Sequence, residues 1–281
     1  MNAVDIVVRD IDGQVEMRAV EELQKEVWGL PDLDVVPLTQ LVAAKASGGV
    51  VIGAFDRDVL VGFAYGFAGY EEGRVTHHSH MLAVRPGYRS FKIGYLLKLA
   101  QREKVIKQGI ERMTWTFDPL QSVNAYFNFN KLGVVSDRYF VNFYGEEAAS
   151  FLHRSGTDRL WVIWLLNSRH VCERLNGTVP AVESENVCPL VEVGKDYAPR
   201  RRGLKEGSSD EQAVIEIPAD INELGQGNRE LTAQWRDATR SAFTQAFTSG
   251  YLIKGFYRGN RGDQEVGRYL LKRGEGVGDI D

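Results

Sequence analysis

A chain of 281 residues, 43% hydrophobic and 26% charged, is long enough to bury one large core or two modest ones. Its net charge of −4 argues against a general nucleic-acid binder, which carries a strongly basic face. The opening MNAVDIVVRDIDG lacks the basic start and apolar centre of a signal peptide. No apolar run approaches the roughly 20 residues of a membrane helix. Cys172 and Cys188 form no metal pattern; they could pair, but two scattered thiols fit a reducing compartment better, so a cytoplasmic protein without membrane contact is expected.

In chain order, Ile6–Arg9 reads as a first strand. Met17–Val27 reads as a helix with Val20, Leu23 and Val27 on one face, stopped by Gly29 and Pro31. Pro37–Val42 opens a second helix, broken at Gly48-Gly49. Val50–Phe55 and Val59–Phe67 are β-rich and joined by Asp56-Arg57-Asp58, a tight hairpin. A polar loop at 71–74 precedes the strand His78–Val84. Pro86-Gly87 ends that strand, and Leu96, Leu97, Ala100 and Val105 then recur at helical spacing. Glu111–Phe117 alternates as a strand, and Ser122–Leu132 is helical with Gly133 as its C-cap. Val134–Tyr144 and Arg159–Leu166 are further strands. The order predicts an α/β fold, a mixed central sheet flanked by helices, over residues 1–176.

Residues 177–212, rich in Glu, Gly, Ser and Pro, read as a linker or long loop containing Arg200-Arg201-Arg202. A solvated surface accounts for those arginines better than nucleic-acid contact in an acidic chain. Beyond it, Ala213–Pro218, Asn228–Gly250, Tyr251–Tyr257 and Arg268–Lys272 make a strand, a helix and two strands, turning at Arg258–Gly262. This small α+β C-terminal extension, 213–281, is too small to stand alone and is expected to dock on the first domain. A frayed tail is expected from Gly274.

The passage from His80 to Lys98 is the part with chemical promise. A strand runs into a basic, Gly-containing turn and then a helix, where free N–H groups and the helix dipole favour an anion. Val84-x4-Arg89-x-x-Lys92-x-Gly94 resembles the pyrophosphate-binding motif of the GNAT superfamily of CoA-dependent N-acyltransferases. There, Arg or Gln is followed three residues on by Gly and five on by Gly or Ala. Arg89 and Gly94 match, and Lys92 stands where Gly is usual. The resemblance implies acetyl-CoA or succinyl-CoA as co-substrate and no metal. It implies a diphosphate cradled by Arg89, Ser90, Phe91, Lys92, Ile93 and Gly94, and a carbonyl polarised by the backbone of Leu82, Ala83 and Val84.

Ser122-Val123-Asn124-Ala125, then Phe129, Lys131, Leu132 and Gly133, is similar to a second segment of that family, which implies that Asn124, Phe129 and Lys131 sit at the coenzyme. The family's acid is often a Tyr in the register of Phe129; Tyr126 is the candidate here. WTFDPLQSVNAYFNFNKLG with NFYG and TDRLW resembles a branch of predicted acetyltransferases with an extra C-terminal region. Some members are associated with N-succinylation of amino acids.

An acceptor amine also needs a base. His77, His78 and His80 are three of the five histidines, and a strand period of two puts His78, His80, Leu82 and Val84 on one face. His80 is the candidate base, against a structural histidine; a metal at His78 and His80 lacks visible further ligands. Asp118 is a second base or ammonium anchor, against a helix cap. Trp28 and Trp115 fit core packing or an apolar acceptor pocket. Arg138 and Arg159 fit a carboxylate partner or a salt bridge equally. The expected partner is a small-molecule amine, without nucleic acid or membrane; a homodimer is left open. A catalytically silent acyl-CoA sensor is the alternative.

Overall fold

In the computed structural model, which describes residues 5–145, 156–178, 187, 189–204 and 210–281, contacts divide the chain into two units, 5–115 and 116–281 among those residues. Cys188 lies outside the described residues. Cys172 is a free thiol.

The first unit carries strands in the order β1 (Ile6–Asp10), β2 (Val50–Asp56), β3 (Val59–Glu71), β4 (Arg74–Val84) and β5 (Arg112–Phe117, whose last two residues belong to the second unit). β1 to β4 pair antiparallel and β5 joins β4 in parallel. On one face lie α1 (Gly13–Trp28) and α2 (Leu38–Ala46), whose Met17, Val20, Leu23 and Leu41 bury against Phe55, Phe63, Tyr65 and Ala83. α1 starts four residues before Met17, where Glu16 of its first turn reaches back to accept the N–H of the N-cap Asp12 (2.8 Å). It ends as expected at Gly29, left-handed with φ 63°. The loop expected at 71–74 closes as a two-residue turn, Glu72 and Gly73 both at positive φ, which matches strand twist.

α3 (Ile93–Lys107) covers the opposite face, packing on β1 to β4. Its buried stripe is Ile93, Leu97, Lys98, Gln101 and Val105. Leu96, expected inside, is exposed. The stripe runs at steps of four from Ile93, so two polar residues take places that the apolar count assigned elsewhere.

The second unit orders its strands β7 (Arg159–Leu165), β6 (Val135–Phe140), β11 (Tyr251–Arg261), β12 (Gln264–Arg273), β10 (Gln212–Pro218), β8 (Pro189–Val193), β9 (Pro199–Arg201). The segment read as a linker therefore contributes β8 and β9. Leu190, Val191 and Val193 bury there, and a parallel pairing with β10 satisfies their backbone. Ile253 of β11 pairs with Ser136 of β6, which joins the C-terminal strands to the β6–β7 hairpin. α7 (Arg229–Thr248) lies over β6 and β8 to β11, burying Trp235, Ala238, Ala242, Phe243 and Ala246.

Two expectations about this unit are corrected. The β11–β12 turn falls at Gly262-Asp263, because Gly259 stays in the strand to make room for Arg268: a Cβ there would lie 2.7 Å from its Nη1. The tail from Gly274 is also anchored. Val277 and Ile280 pack on Val135, Ile163 and Leu252, and the Asp281 carbonyl accepts the His170 N–H at 2.8 Å. Among the described residues, no helix is long and apolar enough to cross a membrane.

α4 (Ser122–Ala125) continues as a π-helical stretch, Tyr126–Leu132, and stops at Gly133 as expected, with φ 72°. A Cβ at Gly133 would meet Arg174 Cγ at 2.8 Å. Gly250, equally left-handed at φ 78°, faces open space. Gly250→Ala should therefore lose about 1 kcal/mol and Gly133→Ala at least twice that. Chemical denaturation of both variants checks the ranking.

Candidate active site

The site begins with an irregularity in β4. Tyr65 pairs with Met81, yet Phe67 pairs with His78, so two residues of β4, Ser79 and His80, stand opposite the single Gly66 of β3. This is a β-bulge, and the pairing of β4 with β5 also stops beside it, at His78 opposite Thr114. The bulge breaks the period of two. His78 and His80 share a face, since both rings lie within 6 Å of Phe67. Past the bulge, Met81 and Ala83 join the core under α1 and α2 with Tyr65, while Leu82 reaches 3.5 Å from where a Cβ on Gly94 would lie. Leu82 thus does not continue the histidine face.

After Val84 the chain makes a short 3-10 helix, Pro86–Phe91, tied down by Tyr88 Oη donating to Asp56 Oδ2 (2.9 Å) and by the Arg85–Glu26 ion pair (3.2 Å). Arg89, Ser90, Phe91 and Lys92 are exposed on it. Lys92 is the N-cap of α3, and at φ 57°, ψ 20° it adopts the left-handed conformation for which glycine is ordinarily used. Its carbonyl accepts the N–H groups of Tyr95 and Leu96 (2.9 and 3.1 Å), so α3 starts directly after the cation. Ile93 is buried and Gly94 half-buried. At a helix start the leading N–H groups lack an intrahelical acceptor, and those of α3 follow directly after Lys92.

The histidines differ in environment. His77 is fully buried, and burial, helped by nearby Lys98, pushes its pKa down to about 3. His78 is half-buried, hydrogen bonded to Thr114 Oγ1 (3.1 Å), and pushed down to about 4 by the same cause. His80 is solvent-exposed, yet the rings of Tyr65, Phe67 and His78 crowd it at 5.9, 5.8 and 6.2 Å. That partial loss of water lowers its pKa below the usual histidine value. His80 is neutral at pH 7 and accessible, as a base must be.

Beneath the bulge, on the α3 side, lies a buried polar group that the apolar pattern did not show. Lys98 is 3% exposed, donates to Ser79 Oγ (2.7 Å), and sits 3.6 Å from the Trp115 ring centre. Burial brings its pKa down to about 7. Trp115, buried at 6% exposure, is thus a core residue and cation partner.

The remaining candidates lie in the second unit. Asp118 is corrected: its two oxygens accept from Nη1 and Nη2 of Arg236, both at 2.8 Å, and Oδ1 also accepts the Leu120 N–H. Buried at 7% exposure and engaged by both oxygens, it is a structural anion rather than a base. Phe129 is corrected as a coenzyme contact. It is 0% exposed and packed edge-on to Phe117 and Tyr269. Tyr126 is half-buried, with Lys131 and Arg258 near its ring (5.7 and 4.9 Å). Asn124 and Lys131 are exposed. The basic run is neutralised internally: Arg200 and Arg202 pair with Glu192, and Arg201 with Asp237. Arg159 is buried at 5% exposure, over Tyr144, and Arg138 pairs with Asp137. No three His, Cys, Asp or Glu residues among those described are grouped to hold a metal ion.

In the first unit a bulged strand thus turns into a glycine-bearing helix start. Residues 16–133 match the model of the acetyltransferase (GNAT) family. No curated protein matches the chain significantly. Solved structures similar to it include the ribosomal-protein-S18-alanine N-acetyltransferase from Escherichia coli (11% identity, TM-score 0.46, 58% of this chain and 94% of that one). Others are an aminoglycoside 6'-acetyltransferase type Ii (21%, 0.47, 59% and 99%) and yncA, a putative acetyltransferase from Salmonella typhimurium with its cofactor acetyl-CoA (15%, 0.46, 58% and 94%).

Two outcomes follow from these environments. Removing the Asp118 charge in Asp118→Asn leaves Arg236 buried without its counter-ion and should cost about 3–5 kcal/mol, read by denaturant unfolding. His77, His78 and His170 all have folded pKa values of about 3 to 4, below the ~6.5 of an unfolded histidine. The unfolded chain therefore takes up protons first, and stability is lost as pH falls below about 6.5. Urea midpoints should drop steadily between pH 7 and pH 4.5, with a shallower slope in His77→Gln.

Proposed function

We propose that the chain is an acyl-CoA-dependent N-acyltransferase that moves an acetyl or succinyl group to a small amine, such as an amino acid. The observation that carries this reading is one continuous segment, His78 to Gly94. In it a bulged strand freed from β5 leads into an exposed cationic turn at a helix N-terminus. The diphosphate binds the N–H groups of the first turn of α3, with Arg89 and Lys92 supplying charge. Backbone N–H groups of the strand past the bulge polarise the thioester carbonyl.

The amine nitrogen attacks the carbonyl carbon within a ternary complex, so a C–N bond forms as the C–S bond breaks. The amine proton passes to His80, and the sulfur leaves as thiolate. A thiol of ordinary pKa near 8.5 is a good leaving group at neutral pH, so the reaction tolerates Phe129 where a tyrosine is usual. Tyr126 is the candidate acid. Asn124 and Lys131 keep the coenzyme role that the resemblance gives them. The burial of Phe129 also supports a second reading, an acyl-CoA sensor without turnover.

Thiol release from acetyl-CoA and succinyl-CoA against an amino-acid panel separates the two, since a sensor is stabilised by coenzyme A and releases none. Arg89→Ala and Lys92→Ala should each weaken acetyl-CoA binding roughly tenfold in calorimetry. His80→Gln should lower kcat about a hundredfold. It should also remove the acidic limb of kcat/KM, which in the parent falls below pH ~6.5 because the His80 pKa is lowered.

A further inference from the structure

Under β4 the polar groups form a directed chain. Lys98 Nζ donates to Ser79 Oγ at 2.7 Å, the Ser79 hydroxyl donates to Gln101 Oε1 at 2.8 Å, and Gln101 Nε2 donates to His77 Nε2 at 3.2 Å. With Gln101 giving its N–H to Nε2, the imidazole proton resides on Nδ1. All four side chains are buried, none more than 4% exposed. The chain is anchored at both ends of the bulge, since His77 is still in register with β3 and β5 and Ser79 is inside the bulge. Gly66 makes it possible: a Cβ there would lie 2.3 Å from His77 Nε2 and 2.9 Å from Gln101 Nε2.

A lysine sealed beneath a strand with a serine hydroxyl and a tryptophan face for company is an expensive way to fill space. A methionine would pack there without desolvating a cation. What the amine adds, as donor to Ser79 Oγ, is direction. It forces the Ser79 hydroxyl to donate to Gln101, and that fixes which β4 residue is the extra one opposite Gly66. A slip of one residue would carry Ser79 to the other face and bring a neighbouring histidine, His78 or His80, under the sheet in its place.

We infer that Lys98, Ser79 and Gln101 are positioning residues: they lock the β4 bulge in the one register that aims the backbone beyond it at the acyl carbonyl. The inference rests on the acyl-transfer reading for the word carbonyl, and on the hydrogen bonds alone for the lock. None of the three touches the reacting atoms.

The test uses Ser79→Ala and Lys98→Met in the full chain, with Ser79→Thr retaining the hydroxyl. Hydrogen–deuterium exchange over 78–84 reads the lock without any substrate, and initial rates with acetyl-CoA read its use. Ser79→Ala and Lys98→Met should each speed exchange of these amides at least tenfold. Each should lower kcat at least tenfold with KM for acetyl-CoA within twofold, since the diphosphate turn is untouched; Ser79→Thr should recover most of both. Folded variants with parental exchange, or with fast exchange and parental kcat, would overturn the inference. Fast exchange in the variants of a parent that releases no thiol with any amine sinks the acyl-transfer reading and supports the lock.

Discussion

The first unit depends on a side chain that is missing. Gly66 leaves the space into which His77 and Gln101 fit, and opposite it β4 carries one residue more than β3. From that mismatch follow the end of the β4–β5 pairing, the reversal of faces at Met81, and the exposure of His80. Any β-carbon at Gly66 would collide with backbone as well as ring, His78 O lying 2.7 Å from it, so relaxation of one side chain is not enough.

The second unit is organised by ion pairs that its acidic and basic residues make with each other. Glu216, 1% exposed, accepts from Arg261 and Arg268 and from the Val193 N–H. Asp158, fully buried, accepts from Tyr139, Arg240 and the Asn142 N–H. Against the opposing effect of burial, these donors hold both carboxyls below the usual carboxylate range. Each acid bridges elements distant in sequence: Glu216 of β10 ties β8, β11 and β12 together, and Asp158 ties β6 to α7.

Much of the architecture was legible because it is written in short-range rules. Gly29 and Gly133 ended helices where left-handed residues were needed, and the Pro86-Gly87 stop was real. The turn between β4 and α3 was legible because cations, a glycine and a strand end coincide locally. What was not legible depends on residues far apart. Asp118 looked like a base until Arg236 closed on it from a distant helix. The bulge is invisible in β4 alone, since only its pairing with Gly66 creates it. Lys98 and Gln101 sat in the sequence as ordinary helix-surface residues, although the four-residue step Ile93, Leu97, Gln101, Val105 was there to be seen. The strands within 177–212 were hidden by flanking Gly, Pro and Glu.

Lys92 sets charge against conformational ease. Glycine in its place would reach the left-handed turn freely, but would leave the helix entrance with one cation fewer. With lysine, the backbone carries a standing torsional cost of about 1–2 kcal/mol, borne whether or not anything is bound. The left-handed turn into α3 is therefore held in place by the rest of the fold, through Tyr88 on Asp56 and Arg85 on Glu26.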